Sequence, residues 1–286
     1  MNENEVAMVM DLTEVRKNID RVDRQIRELF VQRMELANQV VEIKARNGDE
    51  IYKPDREQVV IQKQTEGMEF RWVKPYTALL KKIMGVSREY QYGRMLELRE
   101  HDPFTWSEQK KEVRHLAVAH SEEEYARTVA SVCTGQADAG QAIWKKDGVG
   151  ISAPLEELLL ENHLFITEYM VGKETGMENR VTFADHLEVL PQHDYIRITF
   201  MVSEPGGSLS AILSTITDYG VGITEIYPRP AKEQGQFRFF VEIHCHLDTG
   251  EGQALLYQIM KETREFKILG SYRKEGEENV CRGKEF

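Results

Sequence analysis

Apolar residues in the first part of the chain recur in steps of three and four: Leu12, Val15, Ile19, Val22, Ile26, Leu29, then Leu36, Val40 and Ile43. That spacing predicts one long helix over 12–44 with an apolar seam. Between Leu29 and Leu36, where the seam should continue, stands Arg33, so a guanidinium is aimed at the packing face. Lys44 follows about three turns later, at ~3.6 residues per turn, and points to nearly the same side. Two cations turned toward a helical core are costly to bury unless an anion joins them. On these two residues alone, a snorkelling Arg and a surface Lys near a helix end stays open as the alternative. The chain then turns at Asn47-Gly48-Asp49, and Pro54 opens a second helix over about 55–64 with Arg56 and Glu57 in its first turn. A third helix is expected from near Pro75, through Leu80, Ile83, Ser87, Gln91 and Met95. Ser87 and Gln91 interrupt its apolar series four residues apart, so they share an inward face. Cations on one helix and neutral hydrogen-bonding groups on another outline a polar pocket in a helical bundle, suited to a small dianion.

Beyond about Glu112 the pattern changes. Strand candidates at 115–118, 137–144 and 164–171 alternate with helices at about 121–135, opened by Ser121 and Glu124, and 154–162, which implies a small α/β unit. From Tyr195 the order is strand, helix, strand, strand, helix, strand, a ferredoxin-like arrangement. The expected class is therefore multidomain, α and α+β. A helical domain spans 8–100, a reduced α/β segment 101–190, a ferredoxin-like domain 195–275 and a charged tail 276–286.

Composition narrows the function. The 286 residues carry a net charge of -11, which removes the broad basic surface that a nucleic-acid partner requires. Three cysteines, Cys133, Cys245 and Cys281, are odd in number and far apart, as expected of reduced thiols in a cytoplasmic protein. No apolar run approaches the ~20 residues of a membrane span, and the acidic start does not read as a signal peptide. His244, Cys245 and His246 alternate along a strand with no second ligand pair, so no metal is expected.

Arg16, then Arg33-Met34-Glu35-Leu36-Ala37, Lys44, Pro54-Asp55-Arg56-Glu57, Ser87 and Gln91 together resemble the all-helical class of chorismate mutase. The resemblance covers about residues 8–98. It implies that Arg16, Arg33, Lys44 and Arg56, assisted by Ser87, hold the two carboxylates of chorismate. It further implies that Glu57 accepts from the ring hydroxyl, and that Lys44 and Gln91 donate to the ether oxygen of the breaking bond. Lys53 departs from the pattern, since some members carry an acidic residue there. No cofactor or metal is implied. Arg16 lies seventeen residues before Arg33, roughly 25 Å along the same helix. One helix cannot bring both to one small ligand, so Arg16 serves the site only from a second chain, in a dimeric bundle with two shared sites.

Gly135-Gln136-Ala137-Asp138 and Leu155-Glu156-Glu157-Leu158-Leu159 resemble the first lobe of prephenate dehydratase, which consumes the mutase product. Two lobes do not fit between Glu100 and Tyr195. The glycine-rich opening motif is absent, Lys145-Lys146 replace a Glu-Asn pair, and Arg180-Val181-Thr182-Phe183 departs from Thr-Arg-Phe. The segment is expected to lack dehydration activity. Pro205-Gly206-Gly207-Ser208-Leu209, Ile223-Thr224-Glu225-Ile226-Tyr227-Pro228-Arg229-Pro230 and Gly270-Ser271-Tyr272 resemble the ACT domain that follows dehydratases. That resemblance implies a phenylalanine site at Gly207, Ser208, Leu209, Arg229 and Pro230, although Tyr227 and Pro228 replace its Glu and Ser. Two other readings stay open: a bifunctional mutase and dehydratase, and a non-catalytic amino-acid sensor whose helical domain only dimerises.

Overall fold

The computed structural model describes residues 11–99, 101–146, 150–172, 178–202, 207–231 and 236–275. The extremes of the expected helical domain (8–10 and 100), Pro205-Gly206 and the tail at 276–286 lie outside the described residues. The chain divides into two compact units, meeting at Leu98 and Arg99.

The first unit is three helices. α1 (Leu12–Asn47) ends where Gly48 adopts a left-handed conformation (φ 72°) and returns its N–H to the Lys44 carbonyl. α2 (Pro54–Thr65) opens on its proline, whose missing N–H costs nothing at a first helical position. α3 (Phe70–Glu97) begins five residues earlier than expected, because Pro75 sits inside the helix and gives up one hydrogen bond rather than starting it. α1 and α2 both pack on α3.

The face of α1 that packs within the chain differs from the expected seam. Ala37 and Val41 are buried, flanked by half-buried Arg33, Met34, Asn38 and Lys44. Leu12, Ile19, Val22, Ile26, Leu29, Leu36, Val40 and Ile43 are all exposed in the single chain. Arg33 and Lys44 thus point at a packing face centred on Ala37 and Val41, about 100° round the helix from Leu36, Val40 and Ile43.

The second unit is built on one mixed sheet. Its strands are β1 (Leu116–Val118), β2 (Ala139–Lys146), β3 (Gly150–Ile151), β4 (Phe165–Met170), β5 (Asn179–Ala184), β6 (Tyr195–Met201), β7 (Gly222–Pro230), β8 (Phe237–His244), β9 (Arg264–Tyr272) and β10 (Lys274–Glu275). The main path runs β1-β2-β5-β4-β9-β6-β8-β7, with β3 on β2 and β10 on β4. Helices α4 (Tyr125–Cys133), α5 (Ala153–Glu161), α6 (Gly207–Asp218) and α7 (Gly250–Glu262) connect them. β5 was not expected. Arg180, Val181, Thr182 and Phe183 alternate polar and apolar as a strand does, yet the strand was not read from them; all of its last four residues are buried. Ser121 makes no side-chain cap; a 3₁₀ turn at 122–124 precedes α4, and the Glu124 carboxylate accepts from the His120 N–H at 2.8 Å instead.

The α/β and ferredoxin-like segments share this sheet. The join is parallel pairing of β4 with β9 and β10, where Ile166 faces Gly270 and Tyr169 faces Lys274. A Cβ on Gly270 would sit 2.4 Å from the Ile166 carbonyl oxygen, a backbone atom held in the sheet centre. Gly270→Ala is therefore expected to cost about 3 kcal/mol, as overpacking against an immobile neighbour does. Urea unfolding reads this directly, and a loss below about 0.5 kcal/mol would mean that the join is pliable. A second close approach occurs at Gly140, where the Phe183 ring fills the space a Cβ would take, with Cζ at 2.3 Å.

Candidate active site

α1, α2 and α3 each contribute to a polar cluster inside the helical unit. Ser87 and Gln91, one turn apart on α3, are 4% and 9% exposed, and the Gln91 amide donates to the Ser87 hydroxyl and carbonyl at 3.1 Å each. This is the inward polar face expected from their spacing. Arg33 crosses from α1 and donates to the Ile83 carbonyl at 3.5 Å. Burial lowers its pKa, and the Glu57 carboxylate partly offsets that shift. Glu57 on α2 accepts from Arg88 of α3 in a mostly buried ion pair, and the Arg88 guanidinium stacks 4.9 Å over the Tyr52 ring. Arg88 was missed from sequence. Its signal was its position beside Ser87 on the helix that supplies the neutral donors.

Lys44, near the end of α1, is half-buried and donates to the Ile51 carbonyl at 2.8 Å. Its pKa is lowered, first by burial and then by the like charge of Lys53, with Asp49 opposing. Lys53, the departure noted from sequence, therefore acts on the same cation through its charge. Arg16 and Arg56 are exposed in the single chain. The structure thus buries Ser87 and Gln91 in one bundle, with Arg33 and Glu57 half-buried in the same bundle and half-buried Lys44 on the same packing face of α1 as Arg33. It leaves Arg16 near the far end of α1.

The family model for chorismate mutase type II matches residues 15–92. Residues 15–92 form a chorismate mutase type II domain. The bifunctional chorismate mutase/prephenate dehydratase of Aquifex aeolicus (strain VF5) is 40% identical over 82 residues, 28% of this chain and 23% of that protein. The chain thus spans under a quarter of that relative's length. Among solved structures, a quorum-quenching acylase named GqqA is similar at a TM-score of 0.46 and 19% identity, covering 54% of this chain and 80% of its own. Prephenate dehydratase from Streptococcus mutans is similar at 0.44 and 16%, covering 52% and 82%. Likenesses this distant do not bear on what the second unit does.

The residues that carried the mutase resemblance are therefore those of the matched domain, Arg16 to Gln91. The effector candidates lie elsewhere, in the second unit. Gly207 and Ser208 open α6, the side chain of Ser208 lies outside the described residues, and Leu209 packs against the hydrophobic core. Pro230 ends β7. Arg229 pairs with Glu156 of α5 at 3.2 Å and lies over the Tyr227 and Phe240 rings at 5.0 and 5.5 Å.

That contact belongs to a buried ionic network which sequence reasoning did not find. Arg197 on β6 is fully buried and reaches Glu156 at 3.0 Å, Glu225 at 3.2 Å and Glu242 at 3.7 Å, with the Trp144 ring 4.9 Å from its guanidinium. Glu242, also fully buried, accepts from Lys274, Thr224 and Tyr272 at 2.6 Å each. Burial would lower the Arg197 pKa, but Glu156 and the neighbouring Tyr272, Tyr227 and Glu242 leave it well above its ordinary value. Burial would likewise raise Glu242, yet Lys274, Thr224 and Tyr272 hold it below the usual carboxylate range. Of the dehydratase-like positions, Lys145 pairs with Glu225 at 3.2 Å, and the side chain of Lys146 lies outside the described residues. Arg180 donates to the Ala119 carbonyl at 3.4 Å, Thr182 is buried and Phe183 lies in the core. No cluster of metal-ligating residues occurs among the described residues. No described helix is long and apolar enough to cross a membrane.

Proposed function

We propose that this chain is an enzyme that rearranges chorismate to prephenate, in phenylalanine and tyrosine biosynthesis and in the cytoplasm. The single observation that carries the reading is the polar set of the mutase domain, with Ser87 and Gln91 buried and Arg33, Lys44 and Glu57 half-buried. The reaction is pericyclic and needs no nucleophile, proton relay or cofactor. The protein has to hold the folded conformer and stabilise charge as it develops on the ether oxygen. A gain of about a million-fold corresponds to roughly 8 kcal/mol, within reach of conformer selection plus one cationic donor in a dry pocket. In this reading Arg33 and Arg56, with Ser87, anchor carboxylates, Glu57 accepts from the ring hydroxyl, and Lys44 and Gln91 face the ether oxygen. Arg88, paired to Glu57, would hold that carboxylate in place.

The working unit is a homodimer. A helix with ten large apolar residues exposed along its length leaves an extensive apolar surface on a monomer, and a second copy packed on it would bury much of it. The same packing would bring the partner copy's Arg16 to the site. The second unit reads as a dehydratase-like segment without dehydration activity, followed by an ACT domain. Support for the latter is the β6-α6-β7-β8-α7-β9 connectivity with sheet order β9-β6-β8-β7. Phenylalanine binding at Gly207, Ser208, Leu209, Arg229 and Pro230 would need Arg229 to leave Glu156.

The purified chain, given chorismate, is expected to accumulate prephenate that persists, with or without added phenylalanine. Onward conversion to phenylpyruvate would establish the bifunctional enzyme in its place. Untouched chorismate would favour the non-catalytic sensor.

A further inference from the structure

The second unit contains a cavity of about 290 Å³ that none of the residues discussed so far lines, apart from core residues it shares with the fold. Its walls are apolar: Phe104, Leu159, Leu187, Phe266 and Ile268 contribute, from the segment entering the unit, α5, the β5–β6 connection and β9. Lys267 also lines it. Its ammonium lies 3.5 Å from the Leu160 carbonyl and 3.5 Å from His163 Nδ1, and among the described residues it makes no ion pair. The only non-glycine residues with positive φ among the described ones are His163 (56°), which lines the cavity, and Glu265 (48°), which precedes the lining residue Phe266. Left-handed backbone at two such residues carries a local cost that surrounding structure must hold in place.

We propose that this cavity binds a small monocarboxylate with a single apolar body, such as one aromatic ring on a short chain, with the carboxylate on Lys267. Three features converge on that class. The volume stands at the small end for small-molecule sites, roughly 300–1,000 Å³, which matches a body of about one ring. The walls offer apolar burial worth about 25 cal/mol per Å² and no charge other than Lys267 and, when protonated, His163. A half-buried ammonium whose neighbours are a carbonyl and an imidazole gains most from an incoming anion, because no resident carboxylate has to be displaced. None of the residues implied in phenylalanine sensing lines this cavity, so the site is separate from that one. The proposal does not depend on the mutase reading.

The test is calorimetric titration of the full chain with 3-phenylpropionate and with its neutral counterpart 3-phenylpropanol. Saturable binding of the acid is expected, at least about tenfold tighter than the alcohol, a difference of ~1.4 kcal/mol. Lys267→Met should erase that preference while leaving the alcohol's affinity unchanged. Thr105→Trp, at an exposed position on the cavity lining, should block both ligands without touching the core. No saturable binding by the folded parent protein up to about 1 mM, or equal affinity for acid and alcohol, would overturn the proposal. So would acid binding that survives both substitutions, which would place the ligand elsewhere.

Discussion

Lys44→Ala is expected to lower kcat/KM for chorismate by about 10³-fold, a loss of ~4 kcal/mol in the transition state, while the helical content stays unchanged. The expectation rests on where the cation sits. Lys44 is half-buried on the packing face of α1, its pKa is already lowered by desolvation and by Lys53, and so its charge acts in a medium that screens it poorly. A donor fixed before the reaction stabilises developing negative charge without reorganisation, and alanine removes it entirely. The structural role of the side chain is minor by comparison. One hydrogen bond to the Ile51 carbonyl is lost, worth about 1 kcal/mol, and the Gly48 cap that ends α1 does not involve the ammonium. Parallel circular dichroism and initial-rate measurements separate the two roles. Turnover within tenfold of the parent would remove Lys44 from the reacting centre.

The largest stability effect is expected at Arg197. Arg197→Met keeps much of the volume but leaves Glu156 and Glu242, both fully buried, short of a cation, together with Glu225. Breaking a buried pair on one side typically costs about 3–5 kcal/mol, because the remaining charge is neither solvated nor paired. Urea unfolding followed by Trp144 fluorescence suits this test, since that ring lies against the guanidinium. Glu156→Gln, which preserves shape and loses charge, should fall between parent and Arg197→Met. A loss below about 1 kcal/mol for Arg197→Met would show that water or Arg229 and Lys274 take up the freed carboxylates. The network also ties α5 to β6, β7 and β8, so its loss should loosen the earlier half of the second unit from the later half.

The two experiments probe different levels of legibility. The helical unit could be read from sequence because its signals are local: a 3.6-residue period, a glycine stop, a proline start, and polar residues four apart on one face. Those signals predicted α1 and α2 closely and placed Ser87 and Gln91 inside. They did not reveal that the apolar seam of α1 and its cationic face are separate, because a helical period says which residues share a side and not which side meets a neighbour within the chain. Arg88 was missed for a related reason, since its partner Glu57 lies thirty-one residues away on another helix.

In the second unit most of the strand and helix order was legible from alternation and turn residues; β5 and the two-residue strands β3 and β10 were not expected. The sequence by itself determined most of the element order, the polar set of the mutase domain and the acidic, cysteine-poor character of the chain. Only the tertiary structure decided that one sheet runs through both later segments, that Gly270 must lack a side chain at their join, and that Arg197 and Glu156 are buried together. Those facts depend on contacts between residues tens of positions apart, where pairing is set by which surfaces meet once the elements have formed, and no local period encodes it.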